Sequence, residues 1–150
     1  MTTATDETRT TERPTDLDSL EPLVGTWQVS GASEGKVRYE WLEGKYFMLQ
    51  HVDLGQGDEA TRGLEVIGHL RPYNEAFSPD IRSRYYAANG DTLDYTYEIV
   101  GDVLTIWMGE RGSEAYYRGT FNSARNECTG AWVYPGGGGY ESNMRRVSKA

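Results

Sequence analysis

The chain of 150 residues holds one cysteine, Cys128. That excludes an internal disulfide and fits a reducing compartment. It has two histidines, His51 and His69, and neither stands at metal-ligand spacing from Cys128 or the carboxylates, so no metal site is expected. It lacks a basic surplus: 15 Lys and Arg stand against 23 Asp and Glu, for a net charge of −8. A surface of that sign repels phosphate backbones and anionic lipid, and no dense Lys/Arg stripe offsets it, which argues against nucleic-acid and membrane partners. No run approaches the ~20 apolar residues of a membrane span. No apolar segment follows a basic start, so a secretory leader is not expected either, and a cytoplasmic protein is. From Gly25 onward there is no long helical period of apolar residues, which leaves strands to form the fold.

What the sequence has in quantity is aromatic side chains, with 11 Tyr, 4 Trp and 3 Phe. Such residues favour pleated surfaces and can line a cavity with rigid rings. Short alternating runs recur about every ten residues: TWQVS, KVRYEWLE, YFMLQHVD, GLEVIGHLR, IRSRYYAA, TLDYTYEIV, VLTIWMGE, EAYYRGTFN, ECTGAWVY and YESNMRRVS. Most are joined by tight Gly, Asn or Asp connectors. The Asn89-Gly90 pair is the strongest hairpin signal, because both positions tolerate positive φ. Strands joined so closely are antiparallel neighbours, and ten without crossover helices call for closure, since open edges invite aggregation. The expectation is an all-β fold: a single antiparallel up-and-down β-barrel of about ten strands over residues 17–150. Residues 1–16 hold almost nothing apolar and are expected to be a disordered tail. Leu17, Leu20 and Leu23, three apart, predict a short helical or 3₁₀ turn lying across one barrel end, with Pro22 ending or redirecting it. The longer connectors, 55–62 and 72–80, are expected at the barrel ends, the second carrying Tyr73 and Phe77.

Alternation assigns inward faces. Tyr39 and Trp41 point in on the second strand, Tyr95 and Tyr97 on the sixth, Tyr117 on the eighth, and Cys128 and Trp132 on the ninth. Trp107 lies on a strand that is apolar on both sides, so its direction is open. The third strand is open too: if Phe47 and Leu49 face in, so does His51. Candidate ligand-binding residues are therefore Tyr39, Trp41, His51, Tyr95, Tyr97, Trp107, Tyr117 and Trp132. They form a wall of ring faces with a few polar handles, as small-molecule sites require. His51 and Asp53 share a strand face, so His51 is also a weak candidate for a general base with its orienter. Arg82 and Arg84 share a face as well. Pointing inward they would hold a carboxylate head, but a buried charge without a fixed partner is costly, which favours outward. The YPGGGGY stretch lacks the following helix of a phosphate loop and reads as a hairpin loop.

The stretch GTWQVSG, residues 25–31, resembles the glycine-x-tryptophan first strand of the lipocalins and their calycin relatives. With EGKYFMLQHVD, GLEVIGHLRPYNEAF, YTYEIVGDVLTIWMGE and GAWVYPGGGGYESNMRRV following in order, residues 20–147 resemble an uncharacterised bacterial family of lipocalin-like domains. The resemblance implies a barrel whose first-strand tryptophan, Trp27, sits at the closed end under an arginine of the last strand, Arg145 or Arg146. A guanidinium over an indole face contributes about 0.5–2 kcal/mol. More distantly the chain resembles fatty-acid-binding proteins and the haem-binding nitrobindins. The latter take their axial histidine from near the C-terminus, and no histidine follows His69, so no cofactor is expected.

Three functions fit this reading. One is binding of a small hydrophobic or aromatic molecule inside the barrel. Another is an enzyme using the same cavity for acid–base chemistry, with His51 and a tyrosine as proton carriers. The third is a dimeric interaction module with a filled core, paired through outward residues such as Tyr116 and Val133.

Overall fold

A computed structural model describes residues 12–57 and 60–150. Ten antiparallel strands run as β1 (Gly25–Gly31), β2 (Gly35–Trp41), β3 (Phe47–Leu54), β4 (Thr61–His69), β5 (Ile81–Ala87), β6 (Thr92–Val100), β7 (Val103–Met108), β8 (Tyr116–Phe121), β9 (Glu127–Val133) and β10 (Tyr140–Ser148). Each pairs with the strand before and after it in sequence, and β10 returns to β1, so the sheet closes into an up-and-down barrel. The turns follow from residue type: Gly90 and Gly101, at φ +98° and +60°, take the left-handed backbone that two tight hairpins need. No helix among the described residues is long and apolar enough to cross a membrane.

A 3₁₀ helix, Thr15–Leu23, precedes β1. Three residues per turn stack every third side chain on one face, and Leu17, Leu20 and Leu23 are all fully buried. Pro22 lies inside the helix, one residue before its end. Most of the expected tail, residues 1–11, lies outside the described residues, but Thr15 and Asp16 already belong to this helix. It covers the barrel end at which β1 begins and β10 finishes. Around its three leucines are Trp27, Met48, Ile67, Leu104 and Phe121, all essentially without solvent contact.

Two devices hold this end shut. Trp27 Nε1 donates to the Leu23 carbonyl (2.8 Å), and the Arg146 guanidinium lies 4.3 Å from the Trp27 ring. That guanidinium donates to the carbonyls of Val24, Pro22 (2.7 Å) and Arg125 (3.2 Å). It thereby satisfies carbonyls from the helix end and from the β8–β9 turn, which otherwise have no strand partner. Arg145 points the other way and is exposed. Secondly, His69 at the end of β4 is buried, with Nδ1 donating to the Ser78 carbonyl (2.7 Å) and Nε2 meeting Asp16 Oδ1 (2.7 Å). His69 thus ties the helix to the 70–80 connector. That connector folds over the same closed end, where Phe77 stacks on Tyr46 at 6.0 Å under the Arg71 guanidinium.

Removing the guanidinium leaves up to three carbonyls without a donor at a buried end. Arg146→Leu is expected to lower stability by about 2–4 kcal/mol in urea denaturation, whereas Arg145→Leu changes it by less than about 0.5 kcal/mol. Equal effects would rule out this role for the base contact.

Candidate functional site

Beyond the leucine-packed end, the barrel interior opens into a cavity of about 200 Å³. That is smaller than the ~300–1,000 Å³ of drug-sized sites, so it suits a molecule of about one ring. Its wall is mixed. Val29, Val37, Val52, Leu54, Leu104, Ile106 and Met144 supply apolar surface, and Tyr39, Tyr95, Tyr97, Tyr117 and Trp132 supply rings. From the cavity a chain of ring contacts leads outward. Trp132 meets Tyr117 (5.6 Å), Tyr95 (6.0 Å) and Tyr134 (6.3 Å), and Tyr134 meets Tyr140 (6.2 Å) at the end opposite the helix. Residues 55–57, which follow β3, and the glycine-rich YPGGGGY loop lie at this same mouth.

Two of these tyrosines fit because glycine lies beside them. A Cβ on Gly63 would come within 2.8 Å of the Tyr85 ring, and one on Gly119 would meet the Tyr117 ring at the same distance. Both glycines are close-approach positions, where the wall gives way to a phenol lying along it. Tyr117 then reaches across to donate to the Ser142 carbonyl (3.0 Å).

The polar centre of the cavity is Glu65 of β4, 5 % exposed. Ser83 Oγ donates to its Oε2 at 2.5 Å and Tyr97 OH donates to the same oxygen at 2.8 Å. Burial raises the carboxyl from its ordinary 4.5 to about 6, outweighing the two hydrogen bonds, which act downward. Burial likewise drives the phenols of Tyr39 and Tyr97 well above their ordinary range, with the nearby Glu65 charge adding to it. Tyr85 lines the cavity as Glu65's cross-strand partner. Its hydroxyl is the one buried side-chain polar atom among the described residues without a hydrogen-bond partner.

Of the eight candidate ligand residues, five line this cavity: Tyr39, Tyr95, Tyr97, Tyr117 and Trp132. The other three do not. Trp41 points inward but at the helix end, where its Nε1 donates to Glu21 Oε1 (3.0 Å) and the Arg13 guanidinium lies 5.2 Å from its ring. Trp107 is on the outer wall, 8 % exposed because the Arg111 side chain covers it at 4.9 Å. His51 is also on the outer wall. The inward column of β3 is Met48, Gln50, Val52 and Leu54, so Phe47, Leu49, His51 and Asp53 face out, and the register that would place His51 inside is corrected. His51 Nε2 lies 2.6 Å from Glu40 Oε2, and hydrogen bonds from His51 and Arg38 hold that carboxyl below its ordinary value. The acid–base group facing the cavity is thus Glu65, not His51.

Arg82 and Arg84 also face out, paired with Glu110 (3.3 Å) and Asp94 (2.7 Å). Cys128 is fully buried beside Tyr117 (3.8 Å), and burial pushes its thiol up to about 11, which makes it a poor nucleophile. No cluster of three or more His, Cys, Asp or Glu suited to a metal ion occurs among the described residues. Tyr116 and Val133 are cross-strand partners on the outer wall, with the Arg118 guanidinium 4.7 Å over the Tyr116 ring. No protein-family model matches the chain, and no curated protein matches it in sequence.

A carboxyl raised on folding binds its proton more tightly in the folded protein, so its contribution is most favourable below pH 4.5 and is lost as pH rises through about 6. A shift of this size corresponds to about 2 kcal/mol. Glu65→Gln should therefore gain about 2 kcal/mol relative to the parent between pH 4.5 and pH 7.5 in paired urea titrations. Parallel pH profiles for the two proteins would show that Glu65 is not buried as described.

Proposed function

We propose that this protein is a calycin-like binding barrel that holds a small aromatic or otherwise compact organic molecule in its interior. The observation that carries the reading is the cavity itself. It is a space of about 200 Å³ inside the barrel, walled by aliphatic groups, six tyrosines and an indole, with one carboxyl and one unengaged hydroxyl among its described residues. Apolar walls with a few fixed polar groups are what recognition of a small molecule requires. A core built only for stability is close-packed and avoids unpaired polar atoms. The GTW first strand, with Trp27 under Arg146 at the closed end, supports the calycin resemblance. The lone buried cysteine supports a reducing, cytoplasmic setting.

Binding of small neutral aromatics such as benzyl alcohol should raise the thermal midpoint saturably, by an amount that grows with the logarithm of ligand concentration above Kd. Val52→Trp, which places an indole in the cavity, should abolish that response while the barrel remains folded by circular dichroism. A set of such probes with no saturable effect on the parent protein would count decisively against the reading.

A further inference from the structure

Resting on the proposed cavity function and narrowing it, we infer that the occupant is an organic cation: an aryl or short alkyl amine whose ammonium group sits on Glu65 and whose body lies among the rings of Tyr95, Tyr117 and Trp132. Charge is the first ground. Among the described residues Glu65 is the one carboxyl that lines the cavity, and no lysine, arginine or histidine lines it. The arginines of β5 face outward into their own carboxylate pairs, and Arg146 is committed to the closed end. A carboxylate or phosphate ligand would meet a like charge with no counterion, whereas an ammonium supplies the counterion that the buried carboxylate lacks.

Hydrogen bonding is the second ground. Ser83 and Tyr97 both donate to Oε2 of Glu65, and no protein group among the described residues bonds Oε1. The Tyr85 hydroxyl, on the neighbouring strand of the same wall, is also unengaged. Oε1 is an acceptor awaiting a donor, the phenol oxygen can accept as well as donate, and an ammonium has N–H groups to offer either. The third ground is the wall. Indole and phenol faces attract a cation, most strongly where water is excluded. The titratable groups that face Glu65 are the phenols of Tyr39 from β2, Tyr85 from β5, and Tyr95 and Tyr97 from β6, all raised by burial and neutral across the physiological range. Tyr117 from β8, Cys128 from β9 and Tyr140 from β10, which lie further round the wall, are raised by burial too. Between pH 5 and pH 8, therefore, Glu65 is the one group among the described residues of the cavity that changes charge.

The test compares three matched probes on the full chain by isothermal titration at pH 7.5: phenethylamine, 2-phenylethanol and 3-phenylpropanoate. Phenethylamine should bind about tenfold or more tighter than the alcohol, consistent with a hydrogen bond to a charged group. The propanoate should not bind measurably. Amine affinity should fall as pH drops through about 6, where Glu65 takes up its proton, while alcohol affinity stays level. Glu65→Gln should cost the amine about tenfold and the alcohol less than about twofold. If that variant fails to fold, the probe ranking and pH profile of the parent protein decide the matter alone. An alcohol that binds as well as the amine, or a propanoate that binds better, overturns the amine assignment and leaves the cavity function standing. Absence of binding by all three probes overturns both.

Discussion

The barrel depends on the contact between the Arg146 side chain and Trp27. An up-and-down sheet of ten strands leaves a hole at each end, and the backbone carbonyls around a hole lack ladder partners. Here one cation answers several of them at once while its flat face rests on an indole that is itself anchored to the Leu23 carbonyl. The leucines of the 3₁₀ helix need that anchored indole to pack against. Once this end is shut by packing, the opposite end need not be, and the interior is free to hold something other than side chains.

The interior is organised by contrast between large and absent side chains. Gly63 and Gly119 remove volume where Tyr85 and Tyr117 must lie along the wall. A phenol that lies flat leaves space at the axis, and the cavity is that space. Glu65 is tolerated there because two hydroxyls donate to it, although burial still makes its charged form unfavourable. Such an arrangement is a poor way to gain stability and a reasonable way to select a guest.

Much of the barrel was legible in the sequence, because period-two alternation broken by short turns leaves few alternatives. All ten strands fall where the alternating runs lie, and the three-residue leucine spacing gives the helix that caps them. What was not legible is direction on strands where both faces are apolar. Phe47 and Leu49 look like core, but they lie on the outer wall, and Trp107 reaches near-complete burial there because Arg111 lies over it. A residue can thus be hidden without being inside. Glu65 was missed for the opposite reason. It stands between Leu64 and Val66, so alternation by polarity would place it in water. Only pairing with Ser83 and Tyr85 across β5 reveals the inward column Gly63, Glu65, Ile67, His69. Of the five aromatic candidates on the cavity wall, Tyr39, Tyr95 and Tyr97 sit on strands whose opposite face is clearly polar.

The seam between β1 and β10 has a consequence for how the protein is made. The first strand finds one neighbour at once, across a short turn, but the other is the last strand of the domain. While the chain emerges from the ribosome, one edge of β1 therefore stays unpaired. The indole at its start waits uncovered until translation has delivered Arg146, 119 positions further on. Closure is a single late event, and a nascent chain cut short by only its final strand would present two raw edges to its surroundings.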